Sequence, residues 1–196
     1  TSNRKQAQEA CHFLTPFFPS QPEFGILTGT GLSDLLDTLM IHHRLNYTDI
    51  PHFPSSTVES HKGSLISASF ENRPILLMQG RFHLYEGYTA EQVTFPVRVM
   101  QEMGIQRLIL TNAAGGINLA FSSGDIMLIR DHINLTGSNP LTGPNTDDWG
   151  IRFPDMTRVY HPALQETARK AARENKIHLR EGVYAGLQGP SLETPA

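Results

Sequence analysis

The densest group of reactive side chains in this sequence is the segment GRFHLYEGY, residues 80–88, which follows an apolar run. Arg81 can hold an anion such as phosphate through two parallel charge-assisted hydrogen bonds, each contributing roughly 1.5 to 3 kcal/mol. His83 can contact the same anion, and Glu86 can orient the imidazole and favour its protonated form. Each of these residues alone is more often part of a solvated loop of ion pairs. Their combination directly after an apolar strand favours an anion site.

A glycine turn, TGTGLS at residues 28–33, follows another apolar run. Small residues after a strand let backbone N–H groups approach an anion, and the start of a following helix adds partial positive charge. Phosphate is the expected ligand of such a turn. Two alternatives stay open, a tight turn with no ligand and a dinucleotide site. The dinucleotide site would require a third glycine where Ser33 stands, although Asp49 is suitably spaced for a ribose contact.

Three further segments carry weaker signals. TNAAGG, residues 111–116, again places small residues after a strand, so its N–H groups can meet a phosphate or sugar oxygen, or it is a packing turn. His61 lies beside a glycine in ESHKG, a setting in which a histidine is most often at the surface. Glu193 follows GPSL, where a carboxylate can accept hydrogen bonds from the ring of a base or simply cap a helix.

Apolar periodicity indicates the elements that position these segments. The predicted helices cover residues 3–18, 89–103 and 162–175, and Leu32, Leu35, Leu36 and Leu39 add a helical pattern after the glycine turn. The predicted strands cover residues 24–27, 64–70, 74–79, 108–110, 126–129 and 182–185, with 64–79 as a hairpin. Alternating strands and helices predict an α/β fold, a sheet covered on both faces. Residues 137–154 form a long, functional loop in this interpretation.

Composition narrows the class of protein. With 196 residues, 39% apolar and 18% charged, and a net charge of −3, the chain is predicted to be one soluble domain over residues 1–196. No basic stripe indicates a nucleic-acid partner. Without a membrane-length apolar run or a signal peptide, a cytoplasmic location is expected. Because the chain ends on a loop that looks functional, its C-terminal part is expected to be missing.

Taken in order, the segments GTGLS, STVESHKG, GRFHLYEGY, TNAAGG, DHINLTG, NPLTGPN, RFPDM and GPSLET resemble the homotrimeric type of purine nucleoside phosphorylase. The resemblance runs nearly from end to end, and GRFHLYEGY followed by TNAAGG is highly specific. It implies a twisted mixed central β-sheet flanked by helices. It also implies an enzyme that splits purine nucleosides, inosine and guanosine foremost, with inorganic phosphate and without a metal or organic cofactor.

The resemblance also assigns roles to individual residues. His83, Glu86 and Glu193 are expected to be catalytic. The implied phosphate-binding residues are Thr30, His61, Arg81, His83, Asn112 and the backbone of Ala113. The implied nucleoside-binding residues are Tyr85, Ala114, Gly115, Tyr184, Leu192, Glu193 and, entering from a neighbouring subunit of a homotrimer, Phe153.

Some positions depart from the family pattern. Thr30 and Ser33 stand where serine and glycine are frequent, and Leu192 replaces a frequent phenylalanine, which weakens the prediction of substrate preference. Two other functions are alternatives to phosphorolysis. A truncated, non-catalytic binder of nucleoside or phosphate would bind without turnover, and a dinucleotide-dependent oxidoreductase would make no use of the Arg81, His83 and Glu86 group.

Overall fold

The computed structural model of the chain describes residues 2–29, 33–55 and 63–191. Its α-helices are α1 (Ser2–Leu14), α2 (Ala90–Glu102) and α3 (Pro162–Glu174). Its strands are β1 (Phe24–Thr28), β2 (Met40–Asn46), β3 (Ser64–Phe70), β4 (Arg73–Gln79), β5 (Arg107–Leu110), β6 (Ile126–Asn134) and β7 (Leu179–Gly186). The predicted helices at 3–18, 89–103 and 162–175 and the six predicted strands each overlap an observed element, and β2 is an additional strand that was not predicted from the sequence.

The described residues divide into two compact units. The first holds the residues up to Ala113 together with Asn139–Thr142, and the second holds Ala114–Ser138 and the residues from Gly143 onward. The first unit contains α1, α2 and β1 to β5, and the second contains α3, β6 and β7.

The first unit contains a mixed five-stranded sheet with strand order β2-β3-β4-β1-β5. β1 pairs in parallel with both β4 and β5, whereas β3 runs antiparallel to β2 and β4. The β3–β4 hairpin turns at Glu71 and Asn72, both with positive φ, which suits a tight two-residue hairpin loop. Since β1, β4 and β5 are parallel, their carboxyl ends lie along one edge of the sheet.

Both faces of this sheet are covered. On one face, Ile66, Ala68, Ile75 and Leu77 form a buried cluster, and Leu35, Leu36 and Leu39 pack against it. On the other face lies α2, whose Met100 Sδ would stand 2.8 Å from a β-carbon at Gly25, so the glycine allows the helix to approach β1. This arrangement confirms the predicted mixed sheet flanked by helices.

Local sequence signals explain where α2 begins and ends. Thr89 and Gln92 form a reciprocal capping box, in which Thr89 Oγ1 accepts from Gln92 N at 3.2 Å and Gln92 Oε1 accepts from Thr89 N at 2.9 Å. The helix stops before Gly104, as its position predicts. Helix α1 packs against α2 and buries Ala7, Ala10 and Leu14.

The helix predicted after the glycine turn differs in kind. Residues Ser33–Thr38 form a short 3-10 helix, and Met40 already begins strand β2. Leu35, Leu36 and Leu39 are partly buried against the core cluster, and one short 3-10 helix is enough to place them there.

In the second unit, β6 and β7 form a parallel pair and α3 packs against β6. An ion-pair network joins α3 to β7, in which Arg169 donates to both carboxylate oxygens of Glu181 at 2.8 and 3.0 Å. Arg180 of β7 donates to Asp125 at 3.0 Å. Part of the loop predicted over residues 137–154 folds as a 3-10 helix at Asp147–Trp149.

Candidate active site

The carboxyl ends of β1, β4 and β5 are tied to one another by hydrogen bonds. Thr111 donates to the carbonyl of Leu27 from its backbone N at 3.0 Å and from Oγ1 at 3.3 Å. The buried hydroxyl of Thr28 donates to the carbonyl of Met78 at 3.1 Å. Three segments that the sequence marked as candidate anion sites therefore begin side by side at one edge of the sheet.

Arg81 spans this edge. Its Nη1 donates to the carbonyl oxygen of Thr111 at 2.8 Å, and its Nη2 lies 3.7 Å from the position that a β-carbon on Gly29 would take. Arg81 follows β4, and its guanidinium lies beside Gly29 after β1 and donates to Thr111 after β5. Its remaining N–H groups form a fork suited to an oxyanion.

His83 and Glu86 form a close pair in the same loop. Glu86 Oε1 accepts hydrogen bonds from both Nδ1 and the backbone N of His83, each at 2.9 Å. The Glu86 side chain is only 2% exposed and that of His83 27%. Because an ionised carboxylate can only accept hydrogen bonds, the contact with Glu86 Oε1 requires a proton on Nδ1 of His83.

The local fold of residues 83–87 produces this pair. Leu84–Glu86 is a 3-10 turn that brings the glutamate back over His83, and the Tyr85 ring stacks on the imidazole at 4.7 Å with an interplanar angle of 16°. The second carboxylate oxygen, Oε2, is buried with no hydrogen-bond partner among the described residues. A buried carboxylate is costly unless paired, so the contact with His83 is a strong constraint on both side chains.

Asn112 and Ala113 follow the anchor of Arg81 directly. Asn112 is half-buried, and its Nδ2 donates to the carbonyl of Ala113 at 3.3 Å, while Ala113 is exposed. The structure therefore brings together five predicted site residues in the first unit, which are Arg81, His83, Glu86, Asn112 and Ala113, with Tyr85 stacked on His83.

Other predicted site residues belong to the second unit. Ala114 and Gly115 are exposed, Tyr184 is half-buried in β7, and Phe153 is 85% exposed. Arg152 lies 5.9 Å from the Phe153 ring centroid. Thr30, His61, Leu192 and Glu193 lie outside the described residues.

Sequence reasoning missed Tyr47, whose hydroxyl donates to the carbonyl of Gly80 at 2.7 Å, next to Arg81. An isolated tyrosine among polar residues carries no periodic signal. The available hint was the pair of glycines, Gly63 and Gly80, which mark places where backbone and a large side chain approach closely. Thr28 and Thr111 were noted only as parts of their segments, without their role in joining the strand ends.

Within the described ranges, no three His, Cys, Asp or Glu side chains are grouped closely enough to hold a metal ion. In the same part of the chain, no helix combines the length and apolar character needed to cross a membrane.

Comparison with known proteins shows the family to which the chain belongs. The model of the phosphorylase superfamily matches residues 23–196. Purine nucleoside phosphorylase 1 of Geobacillus stearothermophilus is 48% identical over 194 residues, which cover 99% of this chain and 71% of that protein.

Two solved structures from Schistosoma mansoni are also similar. A purine nucleoside phosphorylase in complex with acetate superposes with a TM-score of 0.91 at 38% identity, covering 100% of this chain and 74% of that one. Isoform 2 of purine nucleoside phosphorylase, in complex with cytosine and ribose-1-phosphate, superposes with a TM-score of 0.89 at 42% identity. That match covers 97% of this chain and 69% of the isoform 2 chain. The chain spans about 70% of the length of these relatives, and at this identity it belongs to the phosphorylase superfamily and, within it, to the purine nucleoside phosphorylases.

Proposed function

We propose that this chain catalyses the reversible phosphorolysis of purine nucleosides and deoxynucleosides, giving the free purine and ribose or deoxyribose 1-phosphate. The observation that carries the proposal is that Arg81 and the His83–Glu86 pair lie in one loop. Arg81 Nη1 donates to the Thr111 carbonyl at 2.8 Å, and Nδ1 of His83 lies 2.9 Å from Glu86 Oε1. The similar isoform 2 enzyme was solved with ribose-1-phosphate, which agrees with a site for sugar phosphate.

Phosphate recognition is the first step of the proposal. A dianion at this edge would receive hydrogen bonds from the guanidinium of Arg81, the imidazole of His83 and backbone N–H groups near Asn112 and Ala113. Thr30 and His61 complete the proposed phosphate site. Because Arg81 is already held by Thr111, little side-chain freedom is lost when phosphate binds.

The chemical step follows from a bound dianion beside the sugar. The bond between the anomeric carbon and the purine nitrogen breaks, both electrons leave with the base, and positive charge develops on the ribose. Phosphate stabilises that charge and then supplies the electron pair of the new carbon–oxygen bond, with inversion. Positioning and electrostatics account for the catalysis, so we propose that no metal or organic cofactor takes part.

The purine would lie against Ala114 and Gly115, with Glu193 accepting from its ring N–H groups and Leu192, Tyr184 and Tyr85 bordering the base and sugar. A carboxylate acceptor favours 6-oxopurines, which donate at the ring nitrogen beside the oxo group, so inosine and guanosine are the proposed substrates. Glu193 is catalytic in this proposal because it holds the purine in the orientation from which the base departs.

We further propose a homotrimer in which Phe153 enters the site of a neighbouring subunit. A phenylalanine that is 85% exposed in the single chain has apolar surface to bury against another subunit. The proposed location is the cytoplasm, where nucleoside and inorganic phosphate are both available.

Release of hypoxanthine from inosine tests the function directly. The 196-residue chain is assayed with and without phosphate, beside Arg81→Ala. We expect phosphate-dependent turnover that falls at least about a hundred-fold in the variant, since a charged bidentate partner is removed. Phosphate binding without turnover would identify a non-catalytic binder, and turnover independent of phosphate would contradict phosphorolysis.

A further inference from the structure

Tyr47 is a buried polar side chain that the proposed chemistry does not use. It begins the 3-10 turn Tyr47–Asp49 after β2 and is 3% exposed. Its ring contacts Phe53 at 5.8 Å and Phe82 at 5.0 Å between centroids. A tyrosine buried so completely requires a partner for its hydroxyl.

The partner is the backbone that leads into Arg81. The Tyr47 hydroxyl donates to the carbonyl of Gly80 at 2.7 Å, with a longer approach of 3.4 Å to the carbonyl of Gln79. Gly80 has a φ of +85°, a left-handed conformation that residues with a β-carbon rarely adopt. The chain therefore leaves β4 through an unusual backbone turn whose carbonyl is fixed from outside the loop.

The tyrosine ring is itself held rigidly. A β-carbon on Gly63 would lie 2.0 Å from Cε2 of Tyr47, so the ring lies directly against that backbone, and Tyr47 N donates to the Gly63 carbonyl at 3.2 Å. On the other side it packs on buried Phe82, the residue between Arg81 and His83. The hydroxyl is thus delivered to Gly80 by a side chain that has no room to move.

We propose that Tyr47 is a positioning residue for the anion site, which sets the orientation of Arg81 by fixing the Gly80–Arg81 peptide through its hydroxyl. The inference rests on the proposed function, since it takes the ligand of Arg81 to be inorganic phosphate. It adds a residue that lies outside the loop and makes no contact with substrate in the proposed reaction.

Burial raises the pKa of the Tyr47 hydroxyl, with desolvation as the cause. Burial therefore favours the protonated hydroxyl, which is the form that donates to the Gly80 carbonyl.

Tyr47→Phe tests the inference because it keeps the ring and removes the hydroxyl. We expect the KM for phosphate, and the Kd for inorganic phosphate by equilibrium titration, to rise about five-fold, the effect of one hydrogen bond. The KM for inosine and kcat at saturating phosphate should stay within about two-fold. Gly80→Ala, which strains the same peptide, should show the same split. Ser69→Ala is the matched control, since it removes a hydroxyl bonded to His42 at 2.8 Å on the distant, hairpin end of β3.

The outcomes separate the two proposals. An unchanged phosphate KM and Kd in Tyr47→Phe, with a wild type that depends on phosphate and on Arg81, would overturn the positioning role alone. Equal rises for phosphate and inosine would also overturn it, because they indicate a general structural effect. A wild-type chain that neither binds nor uses phosphate would overturn the proposed function and this inference together.

Discussion

The side chain of Arg81 donates a hydrogen bond to the main-chain carbonyl of Thr111 at 2.8 Å, across 30 positions of sequence. The contact joins the second residue after β4 to the first residue after β5, and β1 lies between those strands. A flexible, charged side chain thereby becomes a fixed part of the sheet edge.

Replacing Arg81 with lysine tests the value of that geometry. Arg81→Lys keeps the charge but loses the planar fork, so it cannot hold Thr111 and a phosphate at once. We expect the KM for phosphate to rise about ten-fold or more, with a smaller change for inosine. Arg73→Lys is the control, since Arg73 pairs with Glu23 at 2.6 Å at the opposite end of β4. Equal effects of the two variants would contradict the assignment of Arg81.

Glu86→Gln separates the charge of the carboxylate from its shape. The amide is nearly isosteric, but it carries no charge and can direct its NH2 group at His83, where the carboxylate only accepts. We expect kcat/KM for phosphate to fall about ten-fold. Steady-state kinetics with varied phosphate measure it, beside Glu91→Gln on the exposed side of α2. A Glu86→Gln enzyme with wild-type kinetics would remove the glutamate from the phosphate site.

An added methyl group should lower the free energy of unfolding at one glycine, Gly63, and leave it nearly unchanged at another, Gly115. Gly63→Ala places a β-carbon 2.0 Å from the Tyr47 ring, and we expect a loss of about 1 to 3 kcal/mol in the free energy of unfolding. Gly115→Ala meets nothing within 4 Å, so its unfolding free energy should change by less than about 0.5 kcal/mol. Denaturant titration compares the two variants.

The same Gly115→Ala variant also tests the proposed base site. If the purine lies against this backbone, the methyl group should raise the KM for inosine while leaving the KM for phosphate unchanged. A variant that is stable and has a wild-type KM for inosine would move the base elsewhere.

Acid sensitivity of the second unit should depend on Glu181. Hydrogen bonds from Arg169 are the main cause of a lowered Glu181 pKa, so the carboxylate stabilises the fold when ionised. A pKa lower in the folded than in the unfolded state gives stability that is present above the unfolded pKa and lost as pH falls through the folded pKa. Wild type should therefore exceed Glu181→Gln in unfolding midpoint at neutral pH, and the difference should vanish in acid. Glu174→Gln, which removes a longer contact of 3.8 Å to Lys170, should show a smaller difference.

Phe153→Ala tests the proposed contribution from a neighbouring subunit. We expect a rise in the KM for inosine of about ten-fold, because an aromatic contact with the nucleoside is lost. Ile151→Ala is a close control, since Ile151 is 74% exposed in the same loop. Mixing Phe153→Ala with Arg81→Ala chains should restore some fully native sites if the residue acts between subunits, whereas no recovery would place Phe153 within its own chain's site.

Elements with strong local signals were predicted closely. The hairpin strands at 64–70 and 74–79 and the helix at 89–103 match β3, β4 and α2 to within about a residue, because a tight turn separates the two strands and Gly104 marks the end of the helix. Strand β2 was missed because its polar, exposed sequence MIHHRLN has no alternation to report. Leu35, Leu36 and Leu39 have helical spacing, yet a short 3-10 helix is enough to pack them against the core cluster.

The site was predicted as a set of segments rather than as a geometry. The Arg81, His83 and Glu86 group stood out because its members share one loop and their chemistry is legible from residue type. The hydrogen bond from Arg81 to Thr111 could not be predicted from the sequence, because it depends on β4 and β5 both pairing with β1. The contacts of Tyr47 could not be predicted for a similar reason, because its partners Gly63 and Gly80 become neighbours only when β3 pairs with β4.

The two halves of the proposed anion site are closed over very different chain lengths. His83 and Glu86 are 3 residues apart, so their contact closes within one turn and costs little loop entropy. Arg81 and Thr111 are 30 positions apart with α2 between them, and their contact requires β5 to pair with β1. The arginine anchor therefore costs more loop entropy than the histidine–glutamate pair, and it is the half of the proposed site that depends on the strand order of the sheet.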